Sequence, residues 1–148
     1  MKLEWMGEYR DVVEALIRYC NVYAHVYNRE KLHHEGVTYS YSQIQVLEYL
    51  LENEEKCETM TQIATRLGIT RSNFTKIVNR LEEKGLVDKK YAPGSRKNIN
   101  VTVNEKGRKL YRTYSGLILR HHFAPMFEHL KEIPEPYRKE IINALDRK

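Results

Sequence analysis

The chain has 148 residues, of which 41% are hydrophobic and 30% are charged, so it can build a core inside a polar surface. This length suits one domain, or one protomer of an intertwined dimer. No apolar run approaches the roughly 18 residues that a membrane span needs. The first residues include the acid Glu4 and do not resemble a secretory signal. We therefore expect a cytoplasmic protein with no membrane partner.

The overall charge of +5 is distributed unevenly along the chain. Residues 1–60 carry 6 Lys/Arg and 11 Asp/Glu, a net charge of −5. Residues 61–100 carry 9 and 3, a net charge of +6, and residues 101–148 carry 10 and 6, a net charge of +4. A concentrated basic block is the electrostatic footprint of a protein that binds a polyanion.

The N-terminal residues, from about 5 to 31, have the pattern of one long helix with an apolar stripe. A small domain cannot cover so long a stripe, so a second subunit is its simplest partner. We expect a loop over residues 33–39, followed by a helix that begins at a capping box of Ser40 and Gln43. The stripe consists of Tyr9, Val12, Val13, Leu16, Ile17, Cys20, Tyr23 and Tyr27.

Two short helices separated by a glycine turn are predicted next. Thr59 and Gln62 form a capping box for the first helix, and Gly68 allows a tight turn into the second. Thr70 is a suitable N-cap for the second helix, which should run from Arg71 to Lys84. A helix, a short turn and a second helix with a polar face form the helix-turn-helix arrangement.

This second helix has one apolar and one polar face. Its apolar residues follow the i, i+3, i+4, i+7 spacing of a buried stripe, and they are Phe74, Ile77, Val78 and Leu81. Its polar face carries donors and donor–acceptors, which can reach phosphates and base edges in a major groove. The candidate DNA-binding residues here are Thr70, Arg71, Ser72, Asn73, Thr75, Lys76, Asn79 and Arg80.

Two strands are predicted over residues 86–91 and 99–103, and in the second of them apolar and polar residues alternate. Between them lies a segment of turn-forming residues, which carries two cations at its tip. An arginine at an extended tip, here Arg96, can enter a narrow and strongly negative minor groove. The whole unit looks like a winged helix. The candidate DNA contacts of this hairpin are Lys89, Lys90, Arg96 and Lys97.

Helices are predicted again after the hairpin. Asn104 is a plausible cap for a helix over about residues 105–121. Pro125 should kink or break the apolar stretch that follows, and Pro134 introduces a last helix.

The chain resembles the multiple antibiotic resistance regulator (MarR) family of bacterial transcription factors in two strings, LGITRSNFTKIVNRLEEKGLV and VTVNEKGRKL, and in the wing between them. The resemblance covers about residues 40–112. It implies a single, mainly α domain with a small β-hairpin wing. In that domain a winged helix-turn-helix (about 40–104) is flanked by N- and C-terminal dimerisation helices (about 1–34 and 105–148). Family wings often carry Asp-Arg-Arg where this chain has Ser95-Arg96-Lys97, so the Asp that would orient the wing arginine is absent.

The resemblance also implies a function, that of a sequence-specific DNA-binding transcriptional regulator. A homodimer would bind a pseudo-palindromic operator in double-stranded DNA, and the family makes repression the expected outcome. Release by a small aromatic or phenolic effector is implied too, at the place where the dimer helices meet the winged helix. The candidate effector-binding residues are Tyr23, Tyr27, Tyr39, Tyr41 and Tyr114.

Other chemistries find less support in the sequence. No catalytic motif stands out, so we expect neither enzymatic activity nor a cofactor. Cys20 and Cys57 lack the spacing of a disulfide framework or a zinc site. No two histidines lie four residues apart on one helix, as metal ligands often do, so no metal site is assigned to His25, His33, His34, His121, His122 and His129. Two alternatives stay open: a metal- or redox-responsive regulator of the same fold, and a winged helix that serves as a protein-interaction module.

Overall fold

A computed structural model of the protein describes residues 1–118, 120 and 123–147, without the side chains of residues 115–118. The chain divides into two compact units, Met1–Val46 and Leu47–Lys148. His121 and His122, two of the histidines weighed as metal ligands, lie outside the described residues, as does the predicted end of the helix over 105–121.

The first unit begins with a 3₁₀ turn, Glu4–Tyr9, followed by helix α1, Arg10–Arg29. The predicted helix over residues 5–31 is therefore too long at both ends. Gly7 has φ 51° and ψ −134°, a conformation that glycine reaches easily and that no α-helix contains. No residue of α1 is fully buried: most of the predicted apolar stripe is exposed, and Val13, Tyr23 and Tyr27 are half-buried.

A β-hairpin occupies the segment that the sequence predicts as a loop over residues 33–39, and that prediction is wrong. Strands β1 (Lys31–His34) and β2 (Val37–Ser40) pair in antiparallel register. The turn residues Glu35 and Gly36 have φ values of 49° and 79°. Two consecutive positive φ values characterise the two-residue turn whose twist matches that of the strands. A glutamate seldom adopts such a φ, so residue type alone does not indicate this turn.

Helix α2, Tyr41–Glu52, begins at the predicted capping box. The Oγ of Ser40 accepts a hydrogen bond from the backbone N–H of Gln43 at 3.2 Å, and the Oε1 of Gln43 accepts one from the N–H of Ser40, also at 3.2 Å. Two otherwise unpaired backbone donors are satisfied in this way. The buried residues of α2 are Tyr41, Ile44, Val46, Leu47 and Leu50.

The second unit contains the winged helix and the C-terminal helices, which confirms the mainly α fold with a hairpin wing. Strands β3 (Val87–Tyr91) and β4 (Ile99–Val103) pair antiparallel, with Val87 opposite Val103 at the base of the wing. Pro125 lies in the first turn of helix α6 (Ala124–Leu130), where a backbone N–H would have no partner within the helix. The elements are a 3₁₀ turn Glu54–Lys56, α3 Met60–Leu67, α4 Arg71–Glu83, β3 Val87–Tyr91, β4 Ile99–Val103, α5 Glu105–Ile118, α6 Ala124–Leu130 and α7 Glu135–Leu145.

Candidate nucleic-acid interface

The turn between α3 and α4 fixes the helix-turn-helix. Gly68 has φ 72°, the left-handed conformation that ends many helices. The backbone N–H of Ile69 then donates to the carbonyl of Ala64 at 3.1 Å. Thr70 is extended, and its Oγ1 accepts from the N–H of Asn73 at 3.0 Å. The predicted glycine turn and N-cap are therefore confirmed.

The apolar stripe holds α4 against the rest of the unit. Phe74, Ile77, Val78 and Leu81 are all buried, at 0–7% exposure, as the spacing predicts. Burying side chains of this size stabilises the fold by about 1.5–3 kcal/mol each, so the orientation of α4 about its axis is well determined. The opposite side of the helix therefore faces solvent.

The solvent side of α4 carries most of the predicted DNA-binding residues. Thr75 and Asn79 are half-buried at the edges of this face. The Oγ1 of Thr75 donates back to the carbonyl of Arg71 at 2.8 Å. The exposed members are Arg71, Ser72, Asn73, Lys76 and Arg80.

Asn79 and Lys89, two of the residues predicted to contact DNA, form a hydrogen bond with each other. The ammonium of Lys89 on β3 donates to the Oδ1 of Asn79 on α4. The same ammonium lies 3.7 Å from the Oε1 of Glu82. The side chain of Lys89 is only 23% exposed, and its ammonium group contacts α4. This pair of contacts connects the wing to α4, and the sequence did not reveal it.

The wing tip is ordered by a serine hydroxyl. The Oγ of Ser95 accepts from the N–H of Lys97 at 3.2 Å and from that of Asn98 at 3.0 Å. The N–H of Ala92 donates to the carbonyl of Asn98 at 2.8 Å and closes the loop. Arg96 and Lys97 are exposed at the tip, and Lys90 is exposed on β3. The hairpin thus presents three cations to solvent.

The C-terminal end of α4 is connected to the start of α5. Asn104 caps α5 by accepting from the N–H of Gly107 at 3.0 Å, and its Nδ2 donates to the carbonyl of Gly85 at 2.8 Å. The ammonium of Lys106 donates to the carbonyl of Lys84 at 3.0 Å. Burial, with a smaller contribution from the charge of Arg80, lowers the pKa of Lys84.

Four of the five tyrosines predicted to bind an effector lie in the first unit. The rings of Tyr23 and Tyr27 stack at 6.2 Å, and both approach Tyr41 edge-on, at 6.1 and 6.3 Å. The hydroxyl of Tyr23 accepts from the amide of Gln45. Burial raises the pKa of Tyr27. Tyr39 and Tyr41 are core residues at 2% and 6% exposure, and Tyr114 lies half-buried on α5 of the second unit.

Metal and thiol chemistry have no organised site in the described part of the chain. Within residues 1–118, 120 and 123–147, no group of three or more His, Cys, Asp or Glu side chains is arranged to hold a metal ion. Cys20 and Cys57 are both exposed free thiols. Over the same described residues, no helix combines the length and hydropathy needed to cross a bilayer.

Comparison with known families agrees with this geometry. Residues 35–97 match the family model described as the MarR family. The match covers α3, α4 and most of the wing. The family is one of DNA-binding transcription factors, which is the class of function that the sequence predicts for this segment. No curated protein sequence matches the chain.

Solved structures share the fold at low sequence identity. A zinc-responsive MarR family member, ZitR of Lactococcus lactis, is 18% identical with a TM-score of 0.60, over 92% of this chain and 93% of that one. FabT of Streptococcus pneumoniae in complex with DNA is 20% identical with a TM-score of 0.59, over 93% and 92%. The S. aureus MepR–DNA complex is 19% identical with a TM-score of 0.55, over 72% and 73%.

Proposed function

We propose that this protein, whose winged-helix segment belongs to the MarR family of DNA-binding transcriptional regulators, binds a pseudo-palindromic duplex operator as a homodimer and represses transcription there. The observation that carries the proposal is the solvent face of α4, where hydrogen-bond donors and cations stand opposite a fully buried apolar stripe. A major groove about 12 Å wide admits such a helix.

The exposed residues divide into two roles. The exposed cations suited to contacting phosphates are Lys76, Arg80, Lys90 and Lys97. Arg96 at the wing tip would enter the minor groove. Ser72 and Asn73, in the first turn of α4 beside Arg71, would meet base edges. Since the side chains of Asn79 and Lys89 engage one another, we assign them a bracing role between α4 and the wing.

Dimerisation is supported by the apolar side chains that the terminal helices leave exposed. On α1, Val12 is 57% exposed and Ile17 is 55% exposed, and on α7, Tyr137 and Ile142 are both 66% exposed. Burying this surface against a second copy would be favourable. A two-fold dimer would then present its two recognition helices to half-sites about 34–36 Å apart, one turn of the duplex.

Release by an effector is the remaining part of the proposal. The stacked rings of Tyr23 and Tyr27 are half-buried and offer apolar faces to a small aromatic or phenolic molecule. Tyr39 and Tyr41 are nearly fully buried and pack in the core, so a ligand contact by either residue requires rearrangement. Tyr114 belongs to this proposal through the family resemblance.

Selection of bound sites from random duplex DNA, followed by titration with salt, tests the proposal. We expect an enriched inverted repeat and an affinity that falls steeply with salt, by a factor of about 10³ or more between 50 and 200 mM for six to ten phosphate contacts. Weak binding without an enriched sequence would contradict a sequence-specific regulator. An enriched single half-site would contradict the dimer.

A further inference from the structure

The guanidinium group of Arg71, the first residue of α4, is held by side chains of both helices of the helix-turn-helix. Its Nη1 donates to the Oγ1 of Thr61 at 2.8 Å, and its Nε donates to the Oγ1 of Thr75 at 3.2 Å. Its Nη2 lies 3.7 Å from the Sδ of Met60. Thr61 and Met60 belong to α3, so these contacts fix a side chain of the recognition helix from outside that helix.

This arrangement leaves part of the guanidinium available. The group has five N–H donors, and the three contacts use one on each nitrogen. One N–H therefore remains on each terminal nitrogen. These two donors can serve two acceptors of the duplex, such as O6 and N7 of guanine or two oxygens of a phosphate. A surface arginine that is already ordered loses less conformational entropy when it binds.

We propose that Thr61 is a positioning residue for DNA recognition, which holds the Arg71 guanidinium in place for a bidentate contact with paired acceptors of the duplex. The inference rests on the proposed function and adds a residue outside α4 to it. Sequence patterns pointed to Thr59, the cap of α3, and gave no reason to single out Thr61. Only the distance between Thr61 and Arg71 identifies it.

Thr61→Val tests this role because valine keeps the shape of threonine and removes the acceptor. Thr65→Val is the matched control: Thr65 is also an exposed threonine of α3, and its hydroxyl donates to the carbonyl of Thr61 at 3.0 Å. We expect Thr61→Val to weaken binding to the selected duplex about 5-fold or more. Thr65→Val should stay within about 2-fold of the wild type.

A double-mutant cycle separates positioning from a direct or merely structural role. If Thr61 acts through Arg71, Thr61→Val should have no further effect in an Arg71→Ala background. An equal loss in both backgrounds would overturn the inference. Selection with the Thr61→Val protein identifies the acceptor: lost preference at one base pair indicates a guanine edge. A uniform loss with a smaller salt slope indicates a phosphate, and both results support positioning.

A measurement without DNA keeps the two proposals distinguishable. ¹⁵N relaxation of the Arg71 Nε–Hε group in the free protein should show faster motion in Thr61→Val and no change in Thr65→Val. Unchanged motion in Thr61→Val would overturn the ordering role. If the wild type binds duplex and Thr61→Val binds equally well, only this inference fails. If the wild type binds no duplex, the proposed function fails, and the role of Thr61 in recognition fails with it.

Discussion

Ser95 shows at the scale of a single residue how a neutral group can order a charged loop. Its hydroxyl accepts from the N–H groups of Lys97 and Asn98, which is the side-chain-to-backbone pattern of a serine turn. A carboxylate at this position would accept the same bonds and partly neutralise Arg96. Because Ser95 is neutral, the two cations at the tip keep their full charge toward a phosphate backbone.

Ser95→Asp and Ser95→Ala should therefore affect DNA binding differently. Aspartate retains the acceptor and adds a negative charge, so the salt slope of binding should fall by about one unit per protomer. Alanine removes the acceptor, so the amides of Lys97 and Asn98 should exchange with solvent faster while the salt slope stays the same. Salt titrations and amide hydrogen exchange measure the two effects. Equal slopes for wild type and Ser95→Asp would show that the tip does not meet phosphates.

Lys76 and Asn73 are exposed on the same helix and should differ in what they contribute. Lys76→Ala should weaken binding to all duplex sequences and lower the salt slope by about one unit per protomer contact. Asn73→Ala should relax discrimination at one base step by about 1–3 kcal/mol. Titrations with the selected operator and its single-base variants measure both. If neither variant changes binding at matched salt, α4 does not lie in the groove as proposed.

Gly107 marks a close approach between α5 and the wing. A Cβ added there would lie 2.4 Å from the carbonyl oxygen of Leu86 and 2.6 Å from the Cγ1 of Val103. Gly107→Ala should lower the free energy of unfolding by about 1–3 kcal/mol through overpacking, despite the better helix propensity of alanine. Chemical denaturation measures this, with Lys109→Ala on the exposed side of α5 as the control. A stabilised Gly107→Ala protein would show that α5 can shift without loss.

Glu48 gives α2 a pH-dependent stability. Burial raises the pKa of its carboxyl above the ordinary value. The folded state then holds the proton more tightly than the unfolded state, so this group favours folding at low pH. Its contribution is lost as the pH rises from about 4.3, the unfolded value, through the raised folded pKa.

Glu48→Gln should therefore raise the melting temperature relative to the wild type at pH 7. The difference should shrink as the pH falls toward about 4, where the wild-type carboxyl is protonated as well. Thermal unfolding across this pH range measures the effect, and Glu52→Gln, an exposed position on the same helix, is the control. A difference that does not vary with pH would contradict burial of the charged carboxylate as its cause.

The state of assembly is a property of the whole molecule, and α7 offers a direct test. Ile142 is 66% exposed, so Ile142→Asp should leave the fold of one protomer intact and weaken a dimer that buries this side chain. Asn143→Asp adds the same charge at the next, exposed position and is the matched control. Sedimentation and operator binding should show dissociation and reduced affinity for Ile142→Asp only. An unchanged dimer would place its interface elsewhere.

Strong local signals explain how much of the fold could be predicted. Periodicity identified the buried stripe of α4, and capping residues located the starts of α2, α3 and α4, because both patterns depend on neighbours within one or two turns. The hairpin β1–β2 was missed, since its turn requires a positive φ at Glu35 that a glutamate does not suggest. The start of α1 was misplaced because Gly7 adopts a conformation outside the helix.

The sequence by itself determined the helix-turn-helix, its polar face and the basic wing. Only the tertiary structure decided which polar residues are engaged within the protein. Lys89 lies on Asn79, Thr61 holds Arg71, and Ser95 caps the wing tip. The first two contacts join residues ten positions apart on different elements, and no local pattern encodes them. The sequence specifies the type of each side chain, whereas the direction in which a side chain points depends on how the elements pack.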